Sequence, residues 1–214
     1  MIQAVVFDVG ETLVDETRRF EQWADRIGVP RLTFMGTLGG VIAAGRDYSE
    51  VFQIFRPGFD LARESPLLDA AMGAAITEQD LYPDVRQALS ALRELGVWVG
   101  IVGNQPARTT GLLRDLDLPT DYISTSADWG ARKPDPEFFD KVAATAPCAR
   151  EHILYVGDRV DNDVVPSTAA GLRAAFLLRG PWAFIHRDSP GADHADWRIS
   201  GLDELPALVA AENA

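Results

Sequence analysis

Five short runs of the chain are almost wholly apolar: "QAVVFDV" at 3–9, "VWVGIV" at 97–102, "DYIST" at 121–125, "ILYVG" at 153–157 and "RAAFLL" at 173–178. Their apolar positions do not alternate with polar ones. Each run is therefore suited to burial on both faces, which predicts strands of a parallel sheet rather than one-sided antiparallel strands. Helical periodicity fills the intervals. In "DVRQALSALRELG" the residues Val85, Ala88, Leu89, Leu92 and Leu95 share one face, and Gly96 supplies a stop. "PDPEFFDKVAATA" and "LDELPALVAAE" follow the same period.

The alternation fails between residues 16 and 82. No strand pattern occurs there, only the amphipathic stretches "ETRRFEQWADRIG", "RLTFMGTLGGVIAAG", "SEVFQIFRPGFDLARE" and "LLDAAMGAAITEQDL". That length exceeds an ordinary loop and predicts a helical subdomain, placed as a lid over the sheet. Trp23, Phe52 and Phe55 stand at helical spacing as its core. The expected fold class is α/β: a doubly wound, mostly parallel, Rossmann-like sheet with right-handed crossovers and an inserted all-helical subdomain. The core domain is expected over 1–15 and 83–214, and the insert over 16–82.

Composition narrows the function classes. With 214 residues, 47% apolar and 24% charged, the chain reads as an ordinary folded protein. Its net charge of −12 argues against nucleic acid and anionic membrane as partners. No apolar run approaches the ~18 residues of a membrane span, no basic leader opens the sequence, and Cys148 has no second cysteine to pair with. The expected location is cytoplasmic; oligomeric state is not encoded in any visible pattern. Lysine occurs only at 133 and 141, beside eighteen arginines, which draws attention to each.

In open α/β sheets, ligands bind beyond the carboxyl ends of the strands. Past the first strand come Asp8, Gly10, Glu11 and Thr12; past the second, Gly103, Asn104 and Gln105; past the fourth, Asp158, Asp161 and Asp163. Lys133 lies in "GARKPDP", ahead of the fourth strand. Carboxylates from two strand ends with a lysine between them make a candidate Mg2+ and phosphate site, since Mg2+ takes one or two carboxylates plus waters and substrate oxygens. His152, His186 and His194 are too scattered for a metal triad, Asp161 reads as a loop acid or helix cap, and Trp182 reads as a packing anchor.

With "FDVGETL", "GIVGNQ", "RKPDP" and "VGDRVDND" in this order, the chain resembles the haloacid dehalogenase superfamily over essentially its whole length. The helical insert falls where that family carries its smaller cap. The resemblance implies a hydrolase of a small phosphorylated metabolite. Asp8 would be the nucleophile, forming an aspartyl-phosphate, with Lys133 and Asp158 completing the catalytic set. Asp8, Asp158 and the carbonyl of Gly10 would hold Mg2+. Gly103, Asn104 and Lys133 would bind phosphate, and Asp163, Thr12 and Glu11 would support the site.

Two positions depart from the family pattern. Family phosphatases have an acid/base aspartate where this chain has Gly10, a function worth about 10²–10⁴-fold. They have a phosphate-binding serine or threonine where this chain has Gly103. Glu11, one residue along, is a candidate substitute for the lost acid; its alternative is a carboxylate facing solvent or capping a backbone N–H. Two other functions remain open. One is a ligand-binding or regulatory protein with an impaired site. The other, a carbon–halogen hydrolase, is disfavoured because it needs no metal and the acidic loop is kept.

Overall fold

The computed structural model describes all 214 residues. Its strands are β1 (Ala4–Phe7), β2 (Trp98–Gly103), β3 (Tyr122–Thr125), β4 (Ile153–Gly157), β5 (Arg173–Leu177) and β6 (Trp197–Ile199). The helices of residues 16–80 are α1 (Thr17–Ile27), α2 (Arg31–Ala43), α3 (Glu50–Phe55) and α4 (Leu61–Met72). Those that follow are α5 (Val85–Glu94), α6 (Arg108–Asp115), α7 (Ser126–Trp129), α8 (Pro136–Thr145), α9 (Val165–Ala169), α10 (Gly180–His186) and α11 (Leu205–Asn213). The chain divides into two compact units, Met1–Asp15 with Leu81–Ala214, and Glu16–Asp80.

The first unit is a six-stranded sheet in the order β3-β2-β1-β4-β5-β6, parallel throughout. Every residue of β1 and β4 is buried, which accounts for their lack of polar alternation: such a strand has no solvent side. On one side Val6 and Tyr155 pack with Phe138, Phe139 and Val142 of α8. On α5, Val85, Ala88, Leu89 and Leu92 are buried as their spacing predicts. Leu95 departs from that face and is 47% exposed. The helix has ended at Glu94, and Gly96, with φ +76°, closes it. Its N–H reaches Arg93 O at 2.9 Å while that of Val97 reaches Leu92 O at 3.1 Å. This left-handed closure turns Leu95 off the helical period.

β6 is a strand that the sequence pattern did not announce. It has three residues, pairs with β5 from Ala175↔Trp197 to Leu177↔Ile199, and exposes Arg198. An edge strand this short carries too few positions to display a period. The return from the insert also differs from the expected 83. Leu81 already bridges Val14 antiparallel, and Tyr82 N–H donates to Leu13 O at 3.0 Å.

The second unit is helical and has its own aromatic core. Trp23 meets Phe52 and Phe59 edge-on at 5.4 and 5.8 Å between centroids, and Phe52 stacks on Phe59 at 5.1 Å. The stretch "SEVFQIFRPGFDLARE" is two helices, not one. The chain turns at Gly58, with φ +80°, and Asp60 caps α4 by accepting from Arg63 N–H at 3.1 Å. Ion pairs Arg19–Asp69 at 2.8 Å, Arg26–Glu64 at 2.7 Å and Arg18–Asp80 at 2.6 Å join α1 to α4 and the segment after it.

Candidate active site

The strand order reverses at β1, which has β2 on one side and β4 on the other. Phe7 is in register with both Ile101 and Val156, so Asp8 leaves the sheet level with Val102 and Gly157. Its N–H continues the ladder to Val156 O at 2.9 Å. Two strand ends thus deliver Asp8 and Asp158 to one crevice, the place where such sheets bind ligands.

Asp8 is 7% exposed, and a buried carboxylate needs a partner. That partner is Lys133, whose Nζ is 2.7 Å from Asp8 Oδ1 and 2.5 Å from Asp163 Oδ1. Burial opposes the ammonium charge, but Asp163 and Asp8 outweigh it and hold the lysine well above its ordinary range. Burial pushes the Asp163 carboxyl up to about 6 against the pull of Lys133. Its second oxygen accepts from Arg159 N–H at 2.9 Å. The loop carrying Lys133 is itself anchored. Asn104 Nδ2 donates to Lys133 O at 2.8 Å, and Lys133 N–H donates to Asn104 Oδ1 at 2.8 Å. The carboxamide of Asn104 is thereby committed to the lysine backbone.

Asp158 is the odd member. It is 1% exposed, and its Oδ2 is buried with no hydrogen-bond partner. Burial, then the like charges of Asp163, Asp8 and Glu11, push its carboxyl well above the ordinary range. Oxygens of Asp8, Asp158 and Asp163 all lie within 4.8 Å of one another. A buried, all-oxygen cluster with an orphaned carboxylate oxygen fits a hard divalent cation. Since both Asp163 oxygens are already engaged, Asp8 and Asp158 are the pair with capacity to hold it.

The turn after Asp8 accounts for the neighbouring residues. Its positive φ falls on Glu11, at +52°, and not on Gly10. Glu11 does not face solvent. It is 5% exposed, and its Oε2 accepts from the Tyr82 hydroxyl at 2.7 Å. Arg179 stacks 4.0 Å over the Tyr82 ring, donates to Thr12 O at 3.0 Å and pairs with Asp84. Thr12 is fully buried, its Oγ1 without a partner. Gly103 lies against Asp8: a Cβ there would strike Asp8 Oδ1 and come within 3.1 Å of Val9 Cγ2. The space of a side chain at 103 is filled by the Asp8 carboxylate.

Several contributors went unread in the sequence. Tyr155 lies with its ring 5.3 Å from Lys133 Nζ and its hydroxyl on Val102 O at 2.8 Å. A polar aromatic in the otherwise aliphatic "ILYVG" was the available signal. Tyr82 and Arg179 gave none, being ordinary residues of two distant loops. Asp161 is neither a loop acid nor a cap: it lies in a single π-helical turn, Val160–Val164, and pairs with Arg159 at 2.6 Å, while Arg159 also packs 5.2 Å over Trp182.

The family described as haloacid dehalogenase-like hydrolase matches residues 2–171. The glyceraldehyde 3-phosphate phosphatase of Methanopyrus kandleri is 29% identical over 98% of this chain and 97% of its own. The protein of that name from Methanocaldococcus jannaschii is 30% identical, over 60% of this chain, and the match spans only 56% of its own length. Among solved structures, a phosphatase from Thermococcus onnurineus superposes with a TM-score of 0.64 at 22% identity, covering 97% of this chain and 98% of its own, and so shares the fold.

Proposed function

The chain belongs to the haloacid dehalogenase-like hydrolases, and from that premise we propose that it is a Mg2+-dependent phosphatase of small phosphorylated metabolites. One observation carries the reading. At the β1–β4 reversal, a buried carboxylate bound by an ammonium stands beside a second carboxylate with an unpartnered oxygen. The names of the relatives, glyceraldehyde 3-phosphate phosphatases, support a small phosphorylated substrate.

Asp8 is the nucleophile and becomes an aspartyl-phosphate, dividing one difficult displacement into two easier ones. Lys133, 2.7 Å from Asp8, places a fixed positive charge where the phosphoryl oxygens gather. Asp163 and Asn104 keep it there. Asp8, Asp158 and the Gly10 carbonyl would hold the cation, which when bound would supply positive charge against the transferring group. Backbone N–H groups of Gly103 and Asn104 replace the donor that Gly103 lacks. Glu11 and Thr12 shape the turn behind the nucleophile.

The test is phosphate release from a panel of phosphorylated metabolites, with and without Mg2+. Release should require the metal and vanish in Asp8→Asn. Persistent release from folded Asp8→Asn refutes the assignment. If nothing on the panel is hydrolysed, the second reading holds: a ligand-binding protein that keeps the fold and cation site, as the missing side chain at Gly10 favours. Metal-independent halide release from 2-chloropropionate would identify a carbon–halogen hydrolase instead.

A further inference from the structure

A departing oxygen that leaves phosphorus as an alkoxide needs a proton, and the strand-end residues gathered around Asp8 in the sheet unit offer no acid placed to give one. Gly10 has no side chain. Glu11, the next carboxyl along the turn, is directed elsewhere on three counts. Its backbone is left-handed at φ +52°, its Oε2 is bound to Tyr82 at 2.7 Å, and its stem lies against Gly180. There a Cβ on Gly180 would fall 2.6 Å from both Glu11 Cβ and Oε2, so the missing side chain of Gly180 makes the seat that Glu11 occupies. Asp163 has both oxygens engaged, on Lys133 and on Arg159 N–H. The Asp158 oxygen without a partner belongs to the cation-holding pair. Among these residues the charge-stabilising groups are in place and a free proton donor is missing.

We propose, resting on the phosphatase reading above, that the substrates of this enzyme are acyl phosphates, mixed anhydrides whose departing oxygen is a carboxylate and leaves without a proton. In the first step an Asp8 oxygen forms a bond to phosphorus as the bond from phosphorus to the acyl oxygen breaks. The electron pair departs on the carboxylate. In the second, a water oxygen attacks phosphorus and the Asp8–phosphorus bond breaks, returning its pair to Asp8. Of the two water protons, one stays on the phosphate product and the other passes to solvent or to that phosphate. The same missing group that spares the first step leaves the second without a base. Hydrolysis of the aspartyl-phosphate then limits turnover.

The experiment compares acetyl phosphate, a series of aryl phosphates of graded leaving-group acidity, and glycerol phosphate, all with Mg2+ and with Asp8→Asn as blank. The expected result is a kcat/KM for acetyl phosphate about 10²-fold or more above that for glycerol phosphate. With the more acidic aryl phosphates, a burst of one phenol per enzyme should precede a kcat common to all of them. Gly10→Asp should raise the ratio of kcat/KM for glycerol phosphate to that for acetyl phosphate by roughly 10²–10⁴-fold, whatever it does to both through the cation site. Should that variant fail to fold, the wild-type comparison decides by itself. Equal kcat/KM for acetyl and glycerol phosphates, Mg2+-dependent and abolished in Asp8→Asn, overturns the acyl phosphate proposal and leaves the phosphatase standing. No release from any of them overturns the phosphatase itself.

Discussion

Replacing Lys133 by methionine removes the cation that touches both Asp8 and Asp163 while keeping a side chain of similar length. In the native protein the lysine is 2% exposed, with its Nζ 2.7 Å from one carboxylate and 2.5 Å from the other. Breaking a buried pair by removing one partner costs about 3–5 kcal/mol, because an uncompensated charge is left behind. For a chain of this size each kcal/mol is worth roughly 2–4 °C, so the sheet unit should melt about 6–20 °C lower in metal-free buffer at pH 8. The sign with pH is specific. A lysine held above its ordinary 10.5 stays charged from pH 5 to 8, but its pairing with Asp163, raised to about 6, weakens as that carboxyl takes up a proton below this value. In the variant Asp163 loses its cation and takes up a proton more readily in the folded state, so the deficit narrows toward pH 5. Added Mg2+ should narrow it too, by supplying charge to the same cluster. Thermal unfolding followed by near-ultraviolet circular dichroism at pH 5 and pH 8, with and without Mg2+, measures all of this. A deficit below about 1 kcal/mol, the range of an exposed ion pair, refutes the reasoning. So does one that is unchanged between the two pH values.

Gly157→Ala places a Cβ 2.7 Å from Asp163 Cβ, which cannot swing aside as a flexible tip would. A loss of about 1–3 kcal/mol in urea unfolding is expected, together with reduced turnover from displacement of the Lys133 partner. Tyr82→Phe takes the hydroxyl from Glu11 Oε2 and should cost about 1–3 kcal/mol, read as a lower urea midpoint at unchanged slope. In the helical unit, burial raises the Asp80 carboxyl, but hydrogen bonds from Arg18 and Thr77 more than offset this and hold it below its ordinary 3.8. Its stabilisation is therefore present above that pH and lost as the pH falls below it. Asp80→Asn should destabilise the helical unit by about 1–2 kcal/mol at pH 7, and the difference from the native protein should shrink in acid titration followed by circular dichroism. Asn104→Ala frees the Lys133 loop from two hydrogen bonds of 2.8 Å; a raised KM with a retained melting temperature would separate anchoring from folding.

Much of the site is legible in the sequence because acids placed one step beyond apolar runs must emerge at strand ends. Asp8 and Asp158 are such residues, and the reversal of strand order at β1 brings their ends together. Glu11 was not legible. Its neighbours in the chain give no hint that its partner is Tyr82, 71 residues away, or that Gly180 vacates the space it fills. Gly103 was legible as a missing donor but not as the space the Asp8 carboxylate occupies.

The sequence by itself determined the classes of element, the strand ends that carry acids and the chain's interruption by a helical insert. Each of these depends on local periodicity or on a single residue at the edge of a run. Only the tertiary structure decided which side chains share a space. Lys133 reaches Asp163 across 30 residues because α8 returns the chain to β4, and it reaches Asp8 because β4 pairs with β1. Such meetings follow from sheet order and register, and so from the packing of the whole chain. No local period encodes them.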